Sequence, residues 1–240
     1  DVLVLGGGPA GAWAAISARA RGATVLLADK GYCGTSGATA PSGTGVWYVP
    51  PDADARETAK ASRYTMGGQL AEHAWMDRVL AQTWDNVHQL AEWGYPFPTD
   101  SEGLQRRTSL QGPEYMRLMR KQVKESGARI IDHSPALELL VNDAGIVCGA
   151  SGVNRQTGKA WVARAGAVVI ATGGCAFLSR ALGCKVMTGE GLLMAAETGA
   201  ELSGMEFSNA YGLAPAFSSV TKSLFYNWAT FYDADGVAIP

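Results

Sequence analysis

The first thirty residues restrict the fold of this chain more than any other stretch. Val2-Leu3-Val4-Leu5 is a short apolar run, long enough for a strand buried on both faces and too short for a helix. It opens onto Gly6-Gly7-Gly8-Pro9-Ala10-Gly11, in which Gly6, Gly8 and Gly11 keep the spacing G-x-G-x-x-G. An alanine-rich stretch runs to Arg21, Gly22 stops it, and a second apolar strand, Thr24 to Ala28, ends at Asp29. Strand, glycine turn, helix, strand and terminal acid in that order predict a Rossmann-like βαβ unit, and with it an α/β domain on a parallel sheet.

Each part has a physical task in holding a dinucleotide. Gly6 can take the backbone angles of a tight turn, and Gly8 has no side chain to keep a diphosphate off the main chain. Gly11 lets the helix lie close on the strand. Pro9 suits the first turn, where a missing N–H costs nothing. The free amides and the positive end of the helix dipole then face the diphosphate. Asp29 can accept hydrogen bonds from a ribose hydroxyl pair; it follows Gly11 by 18 positions, close to the roughly 20 expected of that partner. The stretch does not say which dinucleotide is bound, and a purely structural turn is the alternative.

With 240 residues, 47% of them apolar and 18% charged, the chain can bury a full core. A formal net charge of −2 and the lack of a basic run offer no field for nucleic acid or an anionic membrane surface. No apolar stretch approaches the length of a membrane span, so direct membrane insertion is not expected. Cys33, Cys148, Cys175 and Cys184 show no C-x-x-C spacing; reduced thiols in a cytoplasmic protein are expected, with no metal centre. His73, His88 and His133 make no ligand pattern. The chain opens inside a strand and closes just after the turn Asp233–Gly236, which suggests a segment of a longer protein.

Gly31 to Gly45 is a Gly/Ser/Thr-rich loop, too polar for a core element and suited to lining a cofactor. Helices are predicted from Ala53 to about Thr65 and from near Glu72 to Trp93, the second with Trp75, Val79, Val87 and Leu90 at helical spacing. Thr99 to Gly112 reads as polar loop and Pro113 to Glu125 as a helix. Arg106, Arg107, Arg117, Arg120 and Lys121 read as a solvated basic face, with Arg106 or Arg107 able to meet an anionic substrate. Arg129–Asp132, Ala136–Asn142, Ile146–Val153 and Lys159–Arg164 read as an antiparallel meander. Ala167–Ile170 is a second buried run ending in Ala171-Thr172-Gly173-Gly174, which repeats the opening logic of backbone amides at a strand tip. Thr188-Gly189-Glu190-Gly191 starts a helix and would permit another close ligand approach.

Taken together, these motifs resemble the flavoprotein subunit family of succinate dehydrogenase and fumarate reductase, with L-aspartate oxidase and adenylylsulfate reductase as relatives. The likeness also takes in Trp93-Gly-Tyr-Pro-Phe97 and Gly204-Met-Glu-Phe207. It implies FAD extended across the domain, with the Gly6–Gly11 turn at the diphosphate and Asp29, followed by Lys30, at the adenosine ribose. Thr35, Ser36, Ser42 and Gly43 would lie near diphosphate and flavin, and Gly173, Gly174 and Glu190 would line the cofactor from the other side. It further implies an FAD-binding domain over 1–224 and the start of a capping domain over 225–240.

Two departures narrow this. Ser36 stands where members with covalent FAD carry a histidine, so FAD is expected to be non-covalent. Tyr211 stands where members acting on C4 dicarboxylates carry another, and tyrosine offers a substrate carboxylate no positive charge. Succinate and fumarate are therefore not the expected substrates, and Asn209 and Tyr211 become candidate pocket residues. The implied activity is hydride transfer between flavin N5 and a C–C or C–N bond beside a carboxylate or carbonyl of a small molecule. The alternatives are a subunit passing electrons to an iron–sulfur partner, a non-catalytic FAD-binding module, and a pyridine-nucleotide domain. No catalytic acid or base is identified in this stretch.

Overall fold

The computed structural model describes residues 1–205 and 230–239. Its centre is a four-stranded parallel sheet in the order β5-β2-β1-β9, comprising Arg129–Ile131, Val25–Ala28, Val2–Leu5 and Ala167–Ile170. Successive side chains of a strand point to opposite faces, and the in-register pairing lines them up across the sheet. Val2, Val4, Val25, Leu27, Ile130 and Val169 meet one core cluster, whereas Leu3, Leu5, Leu26, Ala28, Ile131 and Val168 meet the other. Two cores, one on each face, explain why these strands read as unbroken apolar runs.

On the first face lie α1 (Pro9–Ala20), α3 (His73–Glu92) and α4 (Gly112–Glu125). α1 presents only Gly11, Ala12 and Ala15 as buried residues, so its axis can come close to β1. α4 buries Tyr115, Met116, Leu118, Met119 and Val123, and Trp13 Nε1 of α1 donates to Tyr115 Oη at 2.9 Å. The opposite face is covered by the antiparallel meander β6 (Ala136–Val141), β7 (Val147–Val153) and β8 (Ala160–Arg164), together with α5 (Glu190–Glu197). The α/β class, the parallel sheet and the antiparallel meander are those the sequence predicts.

Several local expectations change. Arg129–Ile131 is not part of the meander; it extends the parallel sheet beside β2. The polar loop before α4 contains β4 (Ser109–Gln111), paired antiparallel with β3 (Gly43–Gly45). β9 is an edge strand of the described sheet and is half-exposed, with Ile170 37% accessible, so only its packed side is core. α2 (Ala53–Met66) has its N-cap where Asp52 accepts from the Ala55 amide at 2.8 Å. On α3 the buried stripe is Met76, Leu80, Val87 and Leu90, while Trp75 and Val79 face outward. Trp75/Val79 and Met76/Leu80 are adjacent i, i+4 pairs about 100° apart on the helix; packing decides between them. Cys33 and Ala40 are buried, so the small-residue loop contributes to the core.

Candidate functional site

All strands of the parallel sheet end on one side, and the loops leaving β1, β2 and β9 meet there. Gly6 leaves β1 with φ +106° and donates to Ala28 O at 2.8 Å. A Cβ on Gly6 would stand 2.3 Å from Ala171 O, the carbonyl at the tip of β9. A Cβ on Gly11 would stand 1.8 Å from Gly6 O, which shows how tightly α1 is set against the turn. Gly8 is the opposite case: nothing lies within 4 Å of its Cβ position, so its backbone is open to a ligand.

Gly8 caps α1 without a side-chain hydrogen bond, Pro9 occupies the first turn, and Ala12 is the first amide with a helical acceptor, Gly8 O at 2.9 Å. The amides of Gly8, Ala10 and Gly11 make no hydrogen bond among the described residues. A helix N-terminus with unpaired amides and no side chain in front of it is suited to a diphosphate.

The cleft above this turn holds about 1130 Å³ of empty space, including space open to solvent. Gly6, Gly8, Pro9 and Ala10 line it from β1 and α1, and Asp29 and Lys30 from the β2 tip. Ser36 lines it from the small-residue loop, Ala171, Thr172 and Gly173 from the β9 tip, and Glu190 from α5. The remaining expected residues lie outside its wall. Gly11 is buried beneath the turn, and Thr35 Oγ1 donates to Tyr32 O at 3.3 Å. Ser42 Oγ donates to Ala38 O, Gly43 pairs with Gln111 in β3–β4, and Gly189 is the left-handed cap of α5. Gly174 is one residue past the wall. Asn209 and Tyr211 lie outside the described residues.

Asp29 is differently employed than the ribose expectation suggests. It is 5% accessible, and its carboxylate already accepts three protein donors: Gly7 N at 2.6 Å, Gly31 N at 2.7 Å and Ser36 Oγ at 2.7 Å. Its main effect is to tie the glycine turn to the loop after β2. Lys30 reaches across the cleft, with Nζ 2.6 Å from Thr188 Oγ1 and 3.1 Å from Glu190 Oε2. Burial pushes the Glu190 carboxyl up, but hydrogen bonds from the Thr188 hydroxyl, its own helix amide and Lys30 outweigh this and hold it below the usual carboxylate range.

Several wall residues escaped the sequence reading. Met187 and Met194 form an apolar patch with Val186, and Met194 lies one helical turn from Glu190 on α5, a spacing that marks one helix face. Pro135, Ala136 and Leu137 enter the wall because the meander folds back over the sheet, which no local pattern signals. Among the described residues no cluster of His, Cys, Asp and Glu could hold a metal ion.

Comparison with known proteins agrees with this geometry. Residues 1–211 match the FAD binding domain family. L-aspartate oxidase of Streptomyces coelicolor is 27% identical, with 99% of this chain and 45% of that protein covered. The fumarate reductase flavoprotein subunit of Mycobacterium tuberculosis is 27% identical over 86% of this chain and 38% of its own length. Among solved structures, E. coli quinol fumarate reductase superposes with a TM-score of 0.81 at 28% identity, covering 92% of this chain and 40% of that one. The chain thus spans less than half the length of these relatives. It belongs to the FAD binding domain family, in the branch of the succinate dehydrogenase and fumarate reductase flavoproteins.

Proposed function

We propose that the protein is an FAD-dependent oxidoreductase whose cofactor lies in the cleft between the β1, β2 and β9 tips. The observation that carries this is convergence: the glycine turn after Leu5 and the Ala171–Gly173 tip, far apart in sequence, lie side by side and line one cleft. The residues present fit the group. The open approach at Gly8 and the unpaired first-turn amides of α1 suit a diphosphate, and the apolar Val186, Met187 and Met194 suit a flat ring. When bound, the flavin supplies hydride exchange at N5 with a C–C or C–N bond beside a carboxylate or carbonyl. The chain's own part is positional. α1 amides neutralise and orient the diphosphate, Asp29 holds the turn in shape, and Lys30 with Glu190 closes the cleft between β2 and α5. Tyr211 in place of a histidine argues for a small-molecule substrate other than succinate or fumarate, and Ser36 argues for non-covalent attachment.

This reading places the FAD domain at 1–224 and the start of a cap at 225–240, with Asn209 and Tyr211 towards the substrate. A cytoplasmic location belongs to this reading. Among the described residues no helix is long and apolar enough to cross a membrane. A second reading is favoured by the M. tuberculosis relative being a flavoprotein subunit: electrons would leave through a partner protein, such as an iron–sulfur subunit, instead of reaching oxygen. The test uses the purified full-length protein. Its visible spectrum should show flavin, acid precipitation should leave that flavin in the supernatant, and an anaerobic carboxylate or carbonyl substrate should bleach it. A colourless protein that takes up no FAD overturns the proposal. Hydrogen peroxide formed with substrate and air separates an oxidase from the partnered form.

A further inference from the structure

Arg120 and Asp132 lie outside the cleft, yet they hold the peptide on which its front wall depends. Asp132, the residue after β5, accepts from Cys33 N at 2.8 Å, from Arg120 Nη1 at 2.9 Å and from Arg120 Nη2 at 2.7 Å. Arg120 Nη1 also donates to Cys33 O at 2.8 Å. The Cys33 residue is therefore gripped at both its N–H and its C=O by one two-pronged ion pair. The guanidinium sits 3.7 Å from the Tyr32 ring centroid, and the left-handed Gly34 (φ +97°) lies against Arg120 Cβ.

From that peptide two routes lead to Gly7, in the cleft-lining turn. The buried Cys33 side chain packs on Gly7, where an added Cβ would lie 2.8 Å from Cys33 Cβ and Sγ. Further along the same loop, Ser36 Oγ donates to Asp29 Oδ1, while Asp29 Oδ2 accepts from Gly7 N. Side chains in such a position influence how well a ligand fits without touching it, because they orient the groups that line the site.

We propose that the Arg120–Asp132 pair is a positioning element that sets the FAD affinity of the cleft, by fixing the Tyr32–Ser36 turn and through it the Gly7 amide. This rests on the reading of the cleft as the FAD site. It assigns Arg120, which in sequence belongs to a basic run, to the cofactor site in place of solvent.

The test measures FAD dissociation constants of the full-length protein by flavin fluorescence, with the visible circular dichroism of bound flavin as a readout of its surroundings. Arg120→Lys keeps the charge and loses the fork, and Asp132→Asn keeps the size and loses the charge. Val87→Ala, a core truncation on α3, serves as the control for general loss of stability. Each of the first two should raise the constant about tenfold or more and change the flavin dichroism, while the control changes neither by more than about twofold. The double variant should bind no worse than the weaker single one to within about twofold, because both break one device. The proposal is overturned if the single variants bind like the unsubstituted protein, if the control weakens binding equally, or if the two effects multiply. Failure of the unsubstituted protein to bind FAD is read from its own titration and overturns the cleft assignment as well.

Discussion

Replacing Asp29 by asparagine keeps the shape of the side chain but exchanges one acceptor oxygen for a donor, at a carboxylate that accepts three hydrogen bonds. The amide oxygen can serve Gly7 N or the pair Gly31 N and Ser36 Oγ, and not both. The cheaper orientation keeps Gly7, whose amide is buried, and lets the Ser36 hydroxyl rotate to accept. Gly31 N then faces a donor, at a cost of about 1–3 kcal/mol. The bond to Gly7 loses its charge assistance, worth roughly another 1 kcal/mol. The sum is about 2–4 kcal/mol, and at about 2–4 °C per kcal/mol for a domain of this size it lowers the melting temperature by about 4–16 °C. Thermal and urea unfolding of the flavin-free protein measures it, with FAD affinity determined in parallel. A carboxylate serving only a ribose would leave the flavin-free protein unaffected and weaken FAD alone. An Asp29→Asn variant melting within about 1 °C of the unsubstituted protein would refute the reasoning.

Two glycines of the same turn should separate folding from binding. Gly11→Ala, whose methyl would lie 1.8 Å from Gly6 O, should abolish soluble folded protein, whereas Gly8→Ala, with open space around its Cβ position, should melt normally and weaken FAD by about tenfold or more. Acid titration reports on the cross-cleft pair. Glu190 is depressed below its ordinary 4.5, so its contribution is fully present above that value and is lost as pH falls through the folded one. Melting temperature should thus be flat with respect to Glu190 between pH 7 and about 5, and Glu190→Gln should remove part of the decline below about 4.5. At 28% and 46% side-chain exposure the Lys30–Glu190 pair is worth at most about 1 kcal/mol, so a larger loss in Lys30→Met would contradict this account. Burial pushes Asp132 up, but Arg120 and the Cys33 amide hold its carboxyl below the ordinary 3.8; Asp132→Asn should flatten the steeper decline below that value.

The sequence was most informative where a feature is local. The Gly6–Gly11 turn, the Asp29 tip, the Ala171–Gly173 tip and the Glu190 helix start were each recognisable, because strand ends, caps and close backbone approaches leave their mark within a few residues. It was misleading where two local readings are equivalent. The adjacent stripes Trp75/Val79 and Met76/Leu80 are both helical, and only the packing of α3 in the folded chain buries the second, on the helix that also buries Val87 and Leu90. Arg129–Ile131 is an arginine and two isoleucines after a helix, and nothing within it distinguishes the edge of a parallel sheet from a hairpin strand. Arg120 sits in a basic run in which Arg117 and Lys121 pair along their own helix, whereas its own partner Asp132 lies on a different element.

Residue order by itself therefore settled that the chain is an α/β nucleotide-binding domain with a glycine turn at the end of a buried strand. That follows because the period of apolar residues and the placement of glycine depend only on backbone geometry. Tertiary structure alone decided what Asp29 does. Three donors from a turn and a loop converge on its carboxylate, a consequence of where the chain crosses itself. It likewise brought Pro135–Leu137 into the cleft wall and set Arg120 behind it, since such contacts join residues tens of positions apart, and their energy exists only once both cores have formed.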